Sequence, residues 1–319
     1  MENQRSLKHF PIMFFASIMG MFGLSLALKK AAQFDFFSAY FLNLHFGVGL
    51  FSSIVFVVFL LLYLLKTIFY FQYVKEEFSH PIKINFFGAL SISTLMFALF
   101  LKGRFYCVDF ALLLIALLFQ GLFSLIIVRF WILNHLKHAQ LSPAWFIPMV
   151  GNLIVPLVAH SIDQQFNLMI LFYFLSVGTF FWIILSTLIF SRLLFEENLP
   201  VKFLPTLFIL IAPPSILAID LNLFFPQNIF SILIFCIALF YALLLFVLLP
   251  NFKQVFNAPF ALSWWAFCFP LSAFSLSAFE LKQTTFGFLA LCLAFLSVLF
   301  VGIQTLIAIY KKQICQAEK

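Results

Sequence analysis

The sequence has very little charge. Of its 319 residues, only 9% are Asp, Glu, Lys or Arg, whereas 65% are hydrophobic. Soluble domains average about 25% charged and about 45–50% apolar residues, and a chain near 300 residues buries only about three quarters of its unfolded surface. This composition excludes a soluble enzyme, a secreted disulfide module, a disordered protein and a nucleic-acid-binding protein. It predicts a polytopic membrane protein.

Motifs for catalysis, metal binding or redox chemistry are also missing. There is no GxSxG, HExxH, phosphate-binding loop or glycine-rich dinucleotide motif. The five cysteines form no CxxC pair, so they are expected to be small apolar packing residues: Cys107, Cys236, Cys268, Cys292 and Cys315. The sequence therefore predicts no enzyme activity, no cofactor and no metal site.

Ten apolar segments are each about as long as a membrane-spanning helix. None of the 29 charged residues (18 basic and 11 acidic) falls inside them. We therefore predict an all-α integral membrane protein whose residues 1–319 form one transmembrane domain. The predicted helices are 11–28, 46–65, 84–101, 110–128, 144–160, 168–190, 205–219, 228–249, 259–279 and 286–310.

Basic residues are unevenly divided between the two sides of this arrangement. The side with both tails and every second loop has thirteen: Arg5, Lys8, Lys66, Lys75, Lys83, Arg129, Lys137, Arg192, Lys202, Lys253, Lys311, Lys312 and Lys319. The opposite side has five: Lys29, Lys30, Lys102, Arg104 and Lys282. Cytoplasmic loops carry the excess of Lys and Arg. Both termini are therefore expected in the cytoplasm, with the chain in the inner (plasma) membrane.

Proline alternates along the ten segments. The odd-numbered segments hold eight prolines and the even-numbered ones hold none: Pro11, Pro148, Pro156, Pro205, Pro213, Pro214, Pro259 and Pro270. Proline is tolerated in a membrane helix where protein or a water-filled cavity satisfies the freed backbone. The pattern predicts five helical hairpins, with odd helices inside and even helices outside. A repeat of two five-helix halves, with its boundary near residue 160, is the alternative.

Small residues form a stripe on three of the odd helices. The stripes contain Ala16, Gly20, Gly23 and Ala27 on the first helix, Pro148, Asn152, Pro156 and Ala159 on the fifth, and Ala266, Pro270, Ala273 and Ser277 on the ninth. Phe269 flanks the stripe of the ninth helix. Two interpretations remain open for these stripes, a shared central axis and tight helix packing.

The charge-free segments bear on mechanism. Proton- and sodium-coupled transporters usually bury ionisable residues in the membrane, and no such residue is expected here. A neutral passage can still conduct anions if hydroxyl and backbone dipoles replace part of their hydration. The candidate hydroxyls on odd helices are Ser17, Ser25, Ser91, Thr94, Thr206, Ser215, Ser272, Ser275 and Ser277.

Five strings, one in each odd helix, carry a family resemblance over residues 9 to 312. They are Gly20-Met-Phe-Gly-Leu-Ser-Leu-Ala27 after Pro11, Glu77-Phe-Ser-His-Pro-Ile-Lys83, Val150-Gly-Asn152, Leu204-Pro-Thr-Leu-Phe208 with Ile211-Ala-Pro-Pro-Ser215, and Trp265-Ala-Phe-Cys-Phe-Pro270. In this order they resemble the tellurite-resistance/dicarboxylate transporter family, which includes bacterial TehA and the plant guard-cell slow-type anion channels.

The resemblance implies five hairpins around a pseudo-fivefold central pore, a homotrimer with one pore per protomer, and a phenylalanine that blocks the pore midway. Phe269 matches that gate. The implied pore-lining candidates are Ala16, Gly20, Asn152, Pro213, Pro214, Ala266, Pro270, Ala273 and Ser277. Ala16 and Ile18 depart from the Gly-x-Pro-x-Gly often found in the first helix of relatives, which puts the gate geometry in question.

We therefore expect a gated anion channel or a passive anion transporter. Its partners would be small anions, with C4-dicarboxylates such as malate and other oxyanions among the candidates, together with the lipid bilayer. The alternative is a secondary carrier or exporter for dicarboxylate, sulfite or tellurite.

Overall fold

The fold is described by a computed structural model that covers residues 7–34, 38–311 and 313–314. Within these ranges the chain forms helices and no β-strand, as predicted. Arg5, Lys312, Cys315 and Lys319 lie outside the described residues.

Ten helical segments are long and apolar enough to cross a membrane, and they correspond one to one with the predicted segments. Most are longer than predicted, above all the second, seventh and fourth, whereas the eighth and ninth are slightly shorter. They are Ile12–Ala31, Ser38–Phe69, Lys83–Leu101, Cys107–Leu133, Pro143–Ile162, Leu168–Phe195, Val201–Phe224, Ile229–Leu248, Leu262–Glu280 and Thr284–Tyr310.

We number the α-helices along the chain. They are α1 Phe15–Ala31, α2 Ser38–Phe69, α3 Phe71–Ser79, α4 Phe87–Leu101, α5 Tyr106–Leu133, α6 Phe146–Ile162, α7 Leu168–Phe195, α8 Ala212–Phe224, α9 Ile229–Leu248, α10 Lys253–Asn257, α11 Cys268–Glu280 and α12 Thr284–Tyr310. Two short helices, α3 and α10, follow outer spans and do not cross the membrane.

Five helices lie inside the protein and five outside. In the odd-numbered spans 78–83% of the most apolar stretch is buried, against 28% in every even-numbered span. Of the inner helices α1, α4, α6, α8 and α11, the last three hold prolines, and Pro11 lies just before the first inner span. The predicted division into inner and outer helices is confirmed.

The five inner helices form a closed ring. Around it, α1 packs on α4, α4 on α6, α6 on α8, α8 on α11, and α11 returns to α1. Each inner helix also packs on the outer helix that follows it in the chain. The ring therefore favours five hairpins over two five-helix halves.

Every inner span begins with a stretch of 3₁₀ helix on the side of the chain termini. These stretches are Ile12–Phe14, Lys83–Phe86, Pro143–Trp145, Val201–Ile211 and Leu262–Phe267. Proline precedes the first stretch, begins the third and lies inside the fourth. A 3₁₀ turn is narrower than an α turn. Because all five inner spans begin in this way, the fivefold repeat predicted from the sequence is also present in the backbone conformation.

The longer helices correct one prediction, that no ionisable residue is buried. Lys66, Asp109, Arg192 and Asp220 lie just beyond the predicted segments but within the observed spans, and all four are at most 3% exposed. Glu77, on the short helix α3, is also buried. Apolar runs understate helix length because a helix continues into charged residues that protein neighbours can cover.

Candidate functional site

A small chamber lies inside the ring, towards the termini; we call it the proximal chamber. Its free volume is about 20 Å³, and every inner span contributes to its wall. The lining residues are Ala16, Met19, Phe86, Ile92, Ile147, Val150, Ile209, Ala212, Leu262, Ser263, Ala266, Phe269 and Pro270. Because about 10–15 Å³ holds one water, this chamber has room for about one water-sized particle.

A second chamber lies farther from the termini, and we call it the distal chamber. Its free volume is about 10 Å³, and all five inner helices again contribute. The lining residues are Gly23, Leu26, Met96, Leu99, Ile154, Leu157, Val158, Ile216, Phe269, Ser272, Ala273 and Leu276. Two chambers enclosed by the same five helices define an axis through the ring.

Phe269 lies between the two chambers. Among the described residues it is the one that lines both, and its side chain is 2% exposed. The residue occupies the first turn of α11, directly after the 3₁₀ stretch and before Pro270. The Phe269 side chain thus lies between two small cavities on one axis.

Four of the predicted pore-lining residues line a chamber. Ala16, Ala266 and Pro270 line the proximal chamber, and Ala273 lines the distal one. Ala16, one of the two departures from the first-helix pattern, therefore lies on the wall of the proximal chamber. Ile18 is fully buried and lines neither chamber.

The other five predicted residues line neither chamber within the described part of the chain. Gly20 is a helix contact, since a Cβ built on it would come within 2.7 Å of Cys268 Cβ. Asn152 Nδ2 donates to Ser124 Oγ of the outer helix α5 at 2.9 Å. The remaining three, Pro213, Pro214 and Ser277, are also buried in the ring. The stripe of small residues on an inner helix therefore includes residues that contact the neighbouring helices as well as residues that line the chambers.

The predicted hydroxyls bond mostly to their own helices. Ser272, which lines the distal chamber, donates to Cys268 O at 2.9 Å, and Ser277 donates to Phe274 O at 2.9 Å. Ser263, in the proximal wall, donates to Lys202 O. The chamber walls are therefore almost entirely apolar. Lining residues such as Met19, Ile92 and Ile216 carry no signal in the sequence, since the same residue types fill every packed interface.

A much larger cavity of about 1000 Å³ opens on the termini side, and we call it the vestibule. It shares Leu262 and Ser263 with the proximal chamber, so the two cavities adjoin. Its ionisable lining residues are Lys8, His9, Lys66, Tyr73, Glu76, Glu77, His80, Lys83 and Lys202. Gln313 lies on the same wall as Lys8, which puts the two ends of the described chain on one side of the protein.

Comparison with known proteins identifies the family. Residues 9–310 match the family described as voltage-dependent anion channel. The chain belongs to that family. Its members are anion channels and transporters rather than enzymes, and the resemblance stated from the five strings is confirmed.

Relatives of the channel family come from all three domains of life. The chain is 28% identical to the guard cell S-type anion channel SLAC1 of Arabidopsis thaliana, over 92% of this chain and 54% of that protein. It is 25% identical to an uncharacterized transporter of Methanocaldococcus jannaschii, over 89% and 88%. It is 24% identical to the tellurite resistance protein TehA homolog of Haemophilus influenzae, over 83% and 80%.

In this member of the anion channel family, a buried ion pair holds the wall of the vestibule. Lys66 Nζ lies 2.8 Å from Glu77 Oε2, and the same ammonium donates to Phe10 O at 2.8 Å. Tyr63 donates its hydroxyl to Glu77 at 2.7 Å, and Ile12 N donates to the other carboxylate oxygen at 3.3 Å. One carboxylate therefore joins α2, α3 and the start of the first span.

The vestibule holds a positive field around His9. Burial lowers the pKa of His9 first, and the charges of Lys8, Lys66 and Lys83 lower it further, while Glu76 acts in the opposite direction. His9 is therefore uncharged at neutral pH. Its environment indicates that the lysines outweigh the glutamates at this point of the wall.

Proposed function

We propose that this protein is a gated anion channel in which Phe269 closes an axial path through each protomer. The observation that carries the proposal is that Phe269 lines both chambers. A phenyl ring between two narrow apolar cavities excludes water, and hydrophobic constrictions of this kind gate by dewetting. Opening then requires the ring to leave the axis.

The path suits small anions that move passively. Its walls are apolar and, among the described residues, carry no acidic residue, so a cation finds no partner there. In the described part of the vestibule at its termini side, four lysines outnumber two glutamates, and a basic mouth raises the local concentration of anions. We propose monovalent anions such as chloride and nitrate as first substrates, with malate and other C4-dicarboxylates, sulfite and tellurite as larger candidates.

Placement and assembly complete the proposal. The excess of Lys and Arg on the termini side supports an inner-membrane protein with both termini in the cytoplasm. The path lies within one chain, so every subunit of a homotrimer has its own. The outer helices present wide apolar faces, with residues such as Ile54, Leu125 and Phe180 more than half exposed; lipid and neighbouring subunits are the partners we propose for them.

The test is anion flux into vesicles that contain purified protein. Phe269→Ala is expected to raise chloride flux severalfold because it removes the ring between the chambers. Phe274→Ala is the matched control: Phe274 lies on the same helix, is buried, and stacks on Phe235 of α9 with ring centroids 5.1 Å apart. This control should cost about 3–5 kcal/mol of stability without raising flux. Equal flux in wild type and folded Phe269→Ala protein contradicts the gate.

One observation favours the alternative of a coupled carrier. Asp220 on α8 is fully buried, and neither carboxyl oxygen has a hydrogen-bond partner among the described residues. Acidic residues buried in membrane spans often belong to proton relays. A carrier would need a proton gradient for uptake and would lose that dependence in Asp220→Asn. Flux in a channel follows the anion gradient alone, with or without the carboxyl.

A further inference from the structure

The vestibule and the axial chambers differ greatly in size. The vestibule has about 1000 Å³ of free space, the proximal chamber about 20 Å³ and the distal chamber about 10 Å³. Pockets that bind small organic molecules are typically about 300–1000 Å³. With Phe269 on the axis, an organic ion can therefore enter the vestibule, whereas the chambers have no room for it.

The vestibule is also chemically matched to negative charge. Glu77 is already committed to Lys66, Tyr63 and the backbone of Ile12. Apart from that buried ion pair, the charged residues of the lining in the described part of the chain are three lysines and one glutamate: Lys8, Lys83, Lys202 and Glu76. The lysines come from three separate segments of the chain.

Two of these lysines lie against aromatic rings. Lys8 Nζ is 5.7 Å from the ring centroid of Tyr73, and Lys202 Nζ is 5.1 Å from that of Phe203. Contacts of this kind stabilise the position of an ammonium group by only about 0.5–1 kcal/mol at exposed sites. An anion of several charges offers each lysine a stronger partner.

We propose that the vestibule binds a small organic polyanion with three or more negative charges, and that the bound polyanion blocks the axial path from the termini side. Binding depends only on the lining residues. Block of the axial path rests on the proposed channel function. We expect it because Leu262 and Ser263 line both the vestibule and the proximal chamber, so the two cavities adjoin.

His9 provides an internal reporter of occupancy. The groups that face it are Lys8 on its own segment, Lys66 on α2, Tyr73 and Glu76 on α3, and Lys83 before α4. A polyanion among these lysines favours the charged imidazolium, so the complex holds a proton that the free protein lacks. Binding should therefore tighten as the pH falls from 8 to 5.5.

The binding test uses a pyrene trisulfonate dye, whose charge does not change over this pH range, and full-length protein in detergent. Fluorescence anisotropy should detect saturable binding that weakens about three- to fivefold in Lys8→Gln and in Lys202→Gln. Lys253→Gln is the matched control, because Lys253 is exposed on the same side and does not line the vestibule. His9→Gln should lose most of the pH dependence, whereas Lys253→Gln should keep it.

The transport test adds the dye to one side of vesicles containing Phe269→Ala protein. Chloride flux should fall when the dye reaches the vestibule, and Lys202→Gln should weaken the block. Absence of saturable binding, or equal weakening by Lys253→Gln, overturns the proposal, as does bound dye that leaves flux unchanged. A Phe269→Ala protein that binds dye but conducts no anion contradicts the channel function and leaves the binding site supported.

Discussion

The ring of Phe269 lies directly against Gly23 of α1. A methyl group built on Gly23 would come within 3.1 Å of Phe269 Cδ2 and equally close to Ser272 Cβ. Contacts this short force a neighbour to move by a few tenths of an ångström. The first and ninth spans therefore meet at the Phe269 side chain. Because Gly23 has no side chain, the phenyl ring can occupy the space beside it.

This contact predicts the effect of Gly23→Ala. The added methyl should press the ring towards the opposite wall and hinder its withdrawal, so chloride flux in vesicles should decrease. In a Phe269→Ala background the same methyl has no ring to displace, and the change in flux should be much smaller. Equal effects of Gly23→Ala in both backgrounds would show that the glycine acts only through helix packing.

The ion pair of Lys66 and Glu77 should be a major contributor to stability. Lys66→Met leaves a buried carboxylate without its cation, a change that costs about 3–5 kcal/mol. Glu280→Gln provides the comparison, because the Lys30–Glu280 pair is one-quarter exposed and should contribute at most about 1 kcal/mol. Thermal unfolding in detergent, followed by circular dichroism, measures both. Similar unfolding midpoints for Lys66→Met and Glu280→Gln would contradict the inference that the more deeply buried ion pair contributes more to stability.

Gly88 should tolerate no side chain. A Cβ at this position would come within 2.6 Å of Pro148 Cα, a backbone atom of the neighbouring inner helix. Gly88→Ala must separate α4 from α6 and should cost about 1–3 kcal/mol. Gly302→Ala is the control, since among the described residues no atom beyond its own stretch of helix backbone and its chain neighbours lies within 4 Å of the added methyl, and it should gain up to about 1 kcal/mol. The two unfolding midpoints should move in opposite directions.

Topology can be tested with reporter fusions. The excess of Lys and Arg predicts that a fusion at Lys319 and another within residues 66–83 both report cytoplasm. A cysteine placed at Lys282, on the other side, should react with an impermeant thiol reagent added outside the cell. A periplasmic reading at Lys319 would contradict both the proposed orientation and the side from which we expect polyanion block.

Much of the architecture follows from sequence because its causes are local. A membrane helix must be long and apolar whatever it packs against, so ten spans can be counted before any contact is known. Prolines in or just before four of the five inner spans likewise mark them, since freed carbonyls require protein neighbours. Helix ends were less predictable, because α2 extends through Lys66 only where α3 and the first span cover its ammonium group.

The sequence by itself determined the membrane class, the number of spans and the order of inner and outer helices, all of which depend on composition and spacing along single segments. Only the tertiary structure decided that Ala273 lines a chamber whereas Gly20 packs on Cys268. It also decided that Asp220 is buried and that lysines from distant segments surround one vestibule. These properties depend on how each helix is rotated in the ring and on neighbours far away in the chain, which a local pattern does not contain.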